Sequence, residues 1–468
     1  MKNMTLKAIA GACGGTLCMG RRQDSPQDGE REATCVVIDS RRIEPGGIFI
    51  AARGENADGH SFIPQVAEKG ALGVVCEREP VGCDIPYILV KDSFKALKDI
   101  AEYYRAGLSI PVVGITGSVG KTSTKEFIAA VLSVRFKVLK TKGNFNNEIG
   151  LPLTVLSIRP EHEIAVLEMG ISDFGEMHRL SKIARPDVCV MTNIGQSHLE
   201  RLGSREGILK AKSEIFDFMN PQGHVFVNGD DDLLRLMREK DGRRVIHFGK
   251  DSANEIYASD LESRGLSGTR GVIHAGLKVF PVEIPLPGDH MVLDALAAVA
   301  VGQEFGLTPR EIARGIGQVE IVKGRGNVMA LPFCTVIDGC YNANPGSMKA
   351  ALQMLTLAFE RKVAILGDMF ELGDDKERLH GEVGICALEQ GIDVLVCTGE
   401  LSRHMYEKAL SFAREKGCAD RMEIYYFENR DEMLGELPHI LKRGDAVLVK
   451  ASHGMQFEKV VEWLEKKK

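Results

Sequence analysis

Apolar positions along this chain fall into blocks of different rhythm. From Val112 onward, short β-rich apolar runs alternate with helix-length amphipathic segments, the pattern of a parallel sheet covered by helices. The runs VVGI at 112–115, IAVLE at 164–168, VCVMT at 188–192 and HVFVN at 224–228 predict strands. Residues 250–287, with several glycines, predict β-hairpins, and an alanine-rich helix is predicted after Gly288. A second alternating block predicts strands at 335–338 (TVID), 362–368 (KVAILGD), 393–399 (DVLVCTG) and 446–452 (AVLVKAS). The segment before Val112 mixes strands and turns and reads as a small α/β domain of its own. Between them, DSFKALKDIAEYYRAG at 92–107 predicts a connecting helix that ends at a glycine. The expected fold is α/β with three domains: residues 1–90, residues 91–320 including the connector, and residues 321–468.

Length agrees, since 468 residues with 44% hydrophobic content can fill more than one core. The net charge of −6 comes from interspersed acids and bases, so no basic stripe for nucleic acid is present. No apolar run approaches the roughly 20 residues needed to span a bilayer, so a membrane-integral protein is not expected. Eleven cysteines are scattered without metal-type spacing. Cys13, Cys35, Cys76, Cys189, Cys334 and Cys397 lie among apolar or small residues, as buried reduced thiols do, which fits a cytoplasmic location. The opening MKNMTLKAIAGACGGTLCMG is interrupted by Lys7 and is too short in its apolar part for a secretory signal, so it predicts a short helix of a folded domain.

Candidate chemistry begins at TGSVGKT, residues 116–122. The strict phosphate-loop pattern wants a glycine five positions before Gly120, where this chain has Ile115. The physics survives the mismatch: Gly117 and Gly120 let the backbone curl round phosphate oxygens, Lys121 supplies a cation and Thr122 a hydroxyl for Mg²⁺. A glycine turn with a surface lysine is the competing reading, and the flanking strand and helix weigh against it. Open α/β sheets bind ligands beyond the carboxyl ends of their strands. Glu168, Asn193, His198, Asp338, Asp368 and Lys450 all fall at or just after such ends. Singly, each also reads as a solvated strand end or a structural histidine.

In SREGILKAKSEIFDF, Lys210 and Lys212 lie on a predicted helix, where exposure is the default. The loop TKGNFNNEIGLPL at 141–153 clusters Asn and Gly, which suits either a turn or the neutral hydrogen-bonding groups of a peptide or sugar site.

The stretches TGSVGKT, TKGNFNNEIGLPL, LEMG at 167–170, TNIGQSHLERLGS at 192–204, AKSEIF at 211–216, YNANPGSM at 341–348 and LGDMFELG at 366–373 together resemble the Mur ligases over almost the full chain. IDSRRIEPGGIFIA and ADGHSFI resemble that family's UDP-sugar-binding segments. The resemblance implies a UDP-sugar-binding first domain, a central P-loop ATPase domain and a Rossmann-like last domain. It further implies ATP- and Mg²⁺-dependent ligation of D-alanyl-D-alanine to UDP-N-acetylmuramoyl-tripeptide, through an acyl phosphate, in peptidoglycan precursor synthesis. The third residue of the tripeptide, lysine or diaminopimelate, stays open. A monomer is expected. Ligases adding the third residue, and folylpolyglutamate synthases, are the rivals within the class; a P-loop ATPase used as a switch is the rival outside it.

Carried over by that resemblance, Gly117, Ser118, Val119, Gly120, Lys121, Thr122 and Ser123 hold phosphates, and Thr122, Glu168 and His198 are metal ligands. Lys212 matches a carbamylated lysine. Lys121, Glu168, His198 and Lys212 make up the catalytic set. Ser40 and Arg41 face the uridine nucleotide; Asn144, Asn146 and Asn147 face substrate. Arg325, Asp338, Tyr341 and Asn344 face ATP. The chain departs from the family's pattern at Met291 and Asp294, where asparagines are usual, at Gly339 for an acid, and at His453 for an arginine. Adenine and dipeptide contacts are where those departures fall.

Overall fold

The Val112–Thr116 and Ile164–Glu168 runs are buried at every position, as β-branched parallel strands covered on both faces should be. In the computed structural model, which describes residues 1–19, 28–54, 57–82, 84–320, 324, 326–417 and 422–467, the chain forms two compact units. Met1–Thr116, Phe136–Val190 and Ser213–His224 make the first; Gly117–Arg135, Met191–Lys212 and Val225–Lys468 make the second.

In the first unit, a five-stranded sheet runs in the order Thr16–Cys18, Tyr87–Leu89, Gly73–Cys76, Ile48–Ile50, Val36–Val37. Only its first pair is antiparallel. The expected N-terminal helix is Leu6–Cys13, capped by Thr5 and closed by Gly14 at φ 62°. A second, parallel group pairs Val138–Lys140 with Ile164–Glu168 and that strand with Val112–Thr116, which sets Ile115 opposite Glu168. The expected connector is the helix Ser93–Ala106, begun by the Asp92 side chain accepting the Lys95 N–H at 2.9 Å. Gly107 ends it at φ −84°, so this glycine is not a left-handed cap. The helix is tied down by Tyr104 Oη donating to the Ile158 carbonyl at 2.6 Å and Arg105 Nε to the Ala184 carbonyl at 2.9 Å.

In the second unit, the glycine-containing segment after residue 250 is an antiparallel meander of Ile256–Ser263, Thr269–Ala275 and Lys278–Ile284. The helix predicted after Gly288 is Asp289–Glu304, apolar nearly all round and buried accordingly. The last block forms a six-stranded sheet ordered Asn327–Ala330, Thr335–Asp338, Ala446–Lys450, Lys362–Gly367, Val394–Thr398, Glu423–Phe427, parallel except at its first pair. Lys362–Gly367 shows the period of two at work. Ala364 and Leu366 enter the core shared with Leu352 and Leu355, while Val363 and Ile365 enter the one shared with Phe457 and Val460.

Cys76, Cys189, Cys334 and Cys397 are buried as expected, but Cys13, the last residue of its helix, and Cys35, just before the strand Val36–Val37, are only half-buried. All nine cysteines among the described residues are free thiols. Among the described residues no helix is long and apolar enough to cross a membrane.

The helix Lys121–Leu132 is held by close backbone approach. A Cβ at Gly315 would overlap the Val131 Cα, and one at Gly302 would lie 2.8 Å from a Val131 methyl. Gly315→Ala therefore overpacks this contact and should lower stability by about 1–3 kcal/mol, read as a drop in the thermal unfolding midpoint. An unchanged midpoint would show that the helices can separate freely.

Candidate functional site

Thr116 ends its strand, and the loop that follows is shaped by two glycines. Gly117 has φ 150°, and a Cβ there would overlap the Thr192 hydroxyl. Gly120, at φ 85°, is the left-handed N-cap of Lys121–Leu132. Asn193 braces the turn between them: its carbonyl accepts the Ser118 N–H at 3.0 Å, and its Oδ1 accepts the Val119 N–H at 2.9 Å. Thr192 Oγ1 and Asn193 Nδ2 both donate to the Val119 carbonyl, at 2.6 and 3.0 Å. Ser118 and Val119 thus have their amides committed to shaping the loop. The amides of Lys121, Thr122 and Ser123 precede the first intrahelical bond, Thr124 N–H to Gly120 O, and form the anion-binding end of the helix. Lys121 Nζ is held over the loop by the Gly117 carbonyl at 2.8 Å. Thr192 and Asn193 have structural roles that strand-end placement alone did not assign.

Lys210 is exposed, as helix surfaces usually are, but Lys212 on the same helix, Arg205–Ser213, is 1% exposed. The exposure expected of it is overturned because its position faces inward beside Ala211 and Ile208, which are buried too. Burial first, then the nearby Lys121 charge, holds the Lys212 amine well below the ordinary lysine range. His198 sits at φ 61° at the start of the short helix Leu199–Leu202. Burial, helped by Lys212, Lys121 and Arg201, pushes its imidazole down to about 4, so it is neutral at pH 7. Its Nδ1 lies 3.2 Å from Glu371 Oε2. Ser197 Oγ donates to the Ser118 carbonyl at 3.5 Å and accepts from Asn344 Nδ2 at 3.3 Å.

Asn344 also caps the helix Pro345–Leu355 in a capping box with Ser347. Asp338, buried at its strand end, accepts the Cys340 N–H at 3.1 Å. Tyr341 donates its N–H to the Gly324 carbonyl and stacks on His453 with ring centres 6.4 Å apart. Arg325 lies outside the described residues. Lys450 Nζ donates to the Asn342 carbonyl at 2.7 Å and to that of Gly339 at 3.3 Å.

In the first unit, Glu168 is 1% exposed and accepts from Asn146 Nδ2 at 2.7 Å. It lies beside Ile115, one residue before the strand end from which the phosphate loop departs. Asn147 Oδ1 accepts the Gly150 N–H at 2.9 Å and starts the helix Gly150–Val155, whereas Asn144 is exposed. Of the three asparagines, Asn146 alone has a side chain bonded to a candidate catalytic group. Ser40 is buried, with its carbonyl accepting from Lys69 Nζ at 3.0 Å; Arg41 is exposed and forks onto Asp39 at 2.9 and 2.8 Å.

Three family models match the chain: "Mur ligase family, catalytic domain" over 32–105, "Mur ligase middle domain" over 115–302, and "Mur ligase, glutamate ligase domain" over 297–453. The UDP-N-acetylmuramoyl-tripeptide--D-alanyl-D-alanine ligase of Bacillus subtilis (strain 168) is 38% identical over 98% of both chains. The chain belongs to the Mur ligase family. Among solved structures, MurF from Acinetobacter baumannii superposes with a TM-score of 0.88 at 32% identity over 99% of each chain. MurF ligase from Thermotoga maritima in complex with ADP gives 0.78 at 30%, over 92% of this chain and 97% of that one.

ATP and Mg²⁺ use is typical of Mur ligases, and the donors here fit a hard cation. In the second unit Thr122 offers a buried hydroxyl and, in the first, Glu168 a buried carboxylate, both oxygen donors; His198, in the second, adds a neutral imidazole, a softer donor. Among the described residues no three His, Cys, Asp or Glu side chains gather into an all-protein cage. Mg²⁺ seldom needs one, since it takes one or two carboxylates together with substrate phosphates.

On the buried helix Asp289–Glu304, Asp294 is 5% exposed and bonded through Oδ1 to the Thr124 hydroxyl on the phosphate-loop helix. Its Oδ2 has no hydrogen-bond partner. Burial pushes this carboxyl up to about 7. A raised carboxylate pKa makes the folded state the better proton binder between the unfolded value and about 7, so stability falls as pH rises through that window. Asp294→Asn should remove this dependence. Relative to wild type, the variant should gain roughly 1.4 kcal/mol per pH unit between pH 5 and 7, measured by denaturant unfolding. Parallel pH profiles would show that Asp294 is charged throughout.

Proposed function

We propose that this protein uses ATP to join D-alanyl-D-alanine to UDP-N-acetylmuramoyl-tripeptide, giving the pentapeptide precursor of peptidoglycan, in the cytoplasm. The observation that carries the reading is a lysine amine, Lys212, buried and held well below the ordinary lysine range next to Lys121 of a phosphate loop, in a chain matched end to end by ligases of that name. Residues 1–90 would bind the UDP end, 91–320 would hold ATP, and 321–468 would bring in the dipeptide.

In the reaction, a terminal carboxylate oxygen of the tripeptide attacks the γ-phosphorus and ADP leaves with the bridging oxygen. The neutral dipeptide amine then attacks the acyl carbon, and the tetrahedral intermediate expels phosphate as the new C–N bond is kept and the amine's proton goes to water. Charge around the transferring group is what the protein must neutralise, and Lys121 with the helix N-terminus at Lys121–Ser123 supplies fixed positive potential there. Bound Mg²⁺ would add charge neutralisation across the β- and γ-phosphates; Thr122, Glu168, His198 and a carbamylated Lys212 are the residues that would hold it. Only an uncharged amine adds CO₂, forming an N–C bond and losing one proton, and burial shifts Lys212 toward that form. Ser40 and Arg41 serve the uridine end, and Asn144, Asn146 and Asn147 the peptide. Arg325, Asp338, Tyr341 and Asn344 serve the nucleotide.

With ATP, Mg²⁺, UDP-N-acetylmuramoyl-tripeptide and D-alanyl-D-alanine together, phosphate and pentapeptide should form in step, and omission of either acceptor should stop both. ATP turnover that ignores the dipeptide would sink the reading in favour of a switch ATPase. Lys212→Ala should lose most activity, on the order of 10²-fold or more by analogy with other lost charge-stabilising groups, and regain part of it with added short carboxylic acids. Full activity in that variant would reject the carbamate.

A further inference from the structure

His198 and Glu371 meet across two segments far apart in sequence, and both hold backbone angles that side-chain-bearing residues avoid, φ 61° in each case. Such conformations persist only where surrounding structure over-determines them. For Glu371 the surroundings are plain. The preceding Asp368 carboxylate accepts from the Ser402 N–H and hydroxyl, both at 2.7 Å. Met369 N–H donates to His380 Nε2 at 2.9 Å, and Phe370 N–H to Ser452 Oγ at 3.0 Å. His380 can accept at Nε2 because its Nδ1 lies 2.6 Å from the Lys376 carbonyl, which takes the ring proton. Three successive residues are thus pinned to three different elements, and Glu371 emerges from them with its carboxylate on the His198 ring. Gly373, two residues on, packs against Glu200 of the helix that His198 begins, with a built Cβ 3.5 Å from the Glu200 Cβ. The loop therefore docks on the His198 segment at two points.

We propose that Glu371 is a positioning residue for His198: its Oε2, 3.2 Å from Nδ1, draws the ring proton to that nitrogen and leaves Nε2 as the one free to bind a metal ion. Histidines that ligate metals are generally oriented in this way through the other ring nitrogen. The carboxylate is largely exposed, so its worth lies in direction and tautomer more than in ion-pair energy. The proposal deepens the ligase reading, on which His198's role as a metal ligand rests.

The test uses the full-length protein. With ¹⁵N-labelled histidine and neither metal nor nucleotide, the His198 signals are identified by their loss in His198→Asn. Wild type should show Nδ1 carrying the proton. Glu371→Gly removes the carboxylate while suiting the positive φ, so folding is not put at risk. It should move the proton population toward Nε2 and weaken Mn²⁺ binding to the ADP complex, followed by electron paramagnetic resonance, by about tenfold or more. Glu371→Gln keeps an acceptor oxygen and should retain most of the wild-type tautomer. An unchanged His198 tautomer in Glu371→Gly, or Mn²⁺ affinity within a factor of about two of wild type, would overturn the proposal. If dipeptide-dependent product fails to appear while the tautomer and Mn²⁺ shifts do, the ligase reading falls and the positioning role stands.

Discussion

A lysine amine taken out of water next to another cation holds its proton far less tightly than an exposed one, and much of this site follows from that one constraint. Lys212 is buried on a helix whose inward face also carries Ile208 and Ala211, and Lys121 is close enough to depress it further. An ammonium there is disfavoured by both the burial and the Lys121 charge. The same surroundings strip His198 of its proton. Both bases are thereby pushed toward their uncharged forms, beside Lys121 as the cation of the loop.

Holding such groups in place falls to backbone that is bent against its preference. Gly117 and Gly120 make the loop possible, and Asn193 holds it from the next strand end with both its carbonyl and its side chain. His198 and Glu371 lack glycine's freedom and are pinned instead by neighbours. Preorganisation of this kind makes sense for phosphoryl transfer, where the protein contributes position and potential and little covalent chemistry.

The architecture was largely legible in the sequence because strand periodicity and helix caps are local. The phosphate loop, the meander after residue 250, the buried helix after Gly288 and the last parallel sheet all lie where the apolar pattern puts them. What local pattern could not show is which face of an amphipathic helix a given lysine takes. Lys210 and Lys212 are two residues apart, and only packing separates the exposed one from the buried one. Glu371 escaped as a site residue, and the bracing role of Asn193, marked only by its strand-end position, went unassigned, for a related reason. Each acts on a partner distant in the chain, Val119 in one case and His198 in the other, and no spacing rule links them. The interleaving of the two compact units, which exchange at residues 116, 135, 190, 212 and 224, has no composition signal at all.

Asp294 shows how a departure from a family's pattern can be smaller than its formal charge. An aspartate for an asparagine would ordinarily add a negative charge a few ångströms from a loop meant for phosphates, with a built Gly120 Cβ 3.5 Å from its Oδ1. Burial removes part of that difference, because a carboxyl raised to about 7 is only partly ionised at neutral pH. A neutral carboxylic acid has nearly the shape of a carboxamide and, like it, one carbonyl oxygen to accept and one group able to donate. Oδ1 serves the Thr124 hydroxyl as an amide oxygen would, and the unpartnered Oδ2 stands where an amide nitrogen would be. The brace on the phosphate-loop helix is thus kept, and it is the folded state as a whole, which must bury the charge, that loses stability on the alkaline side.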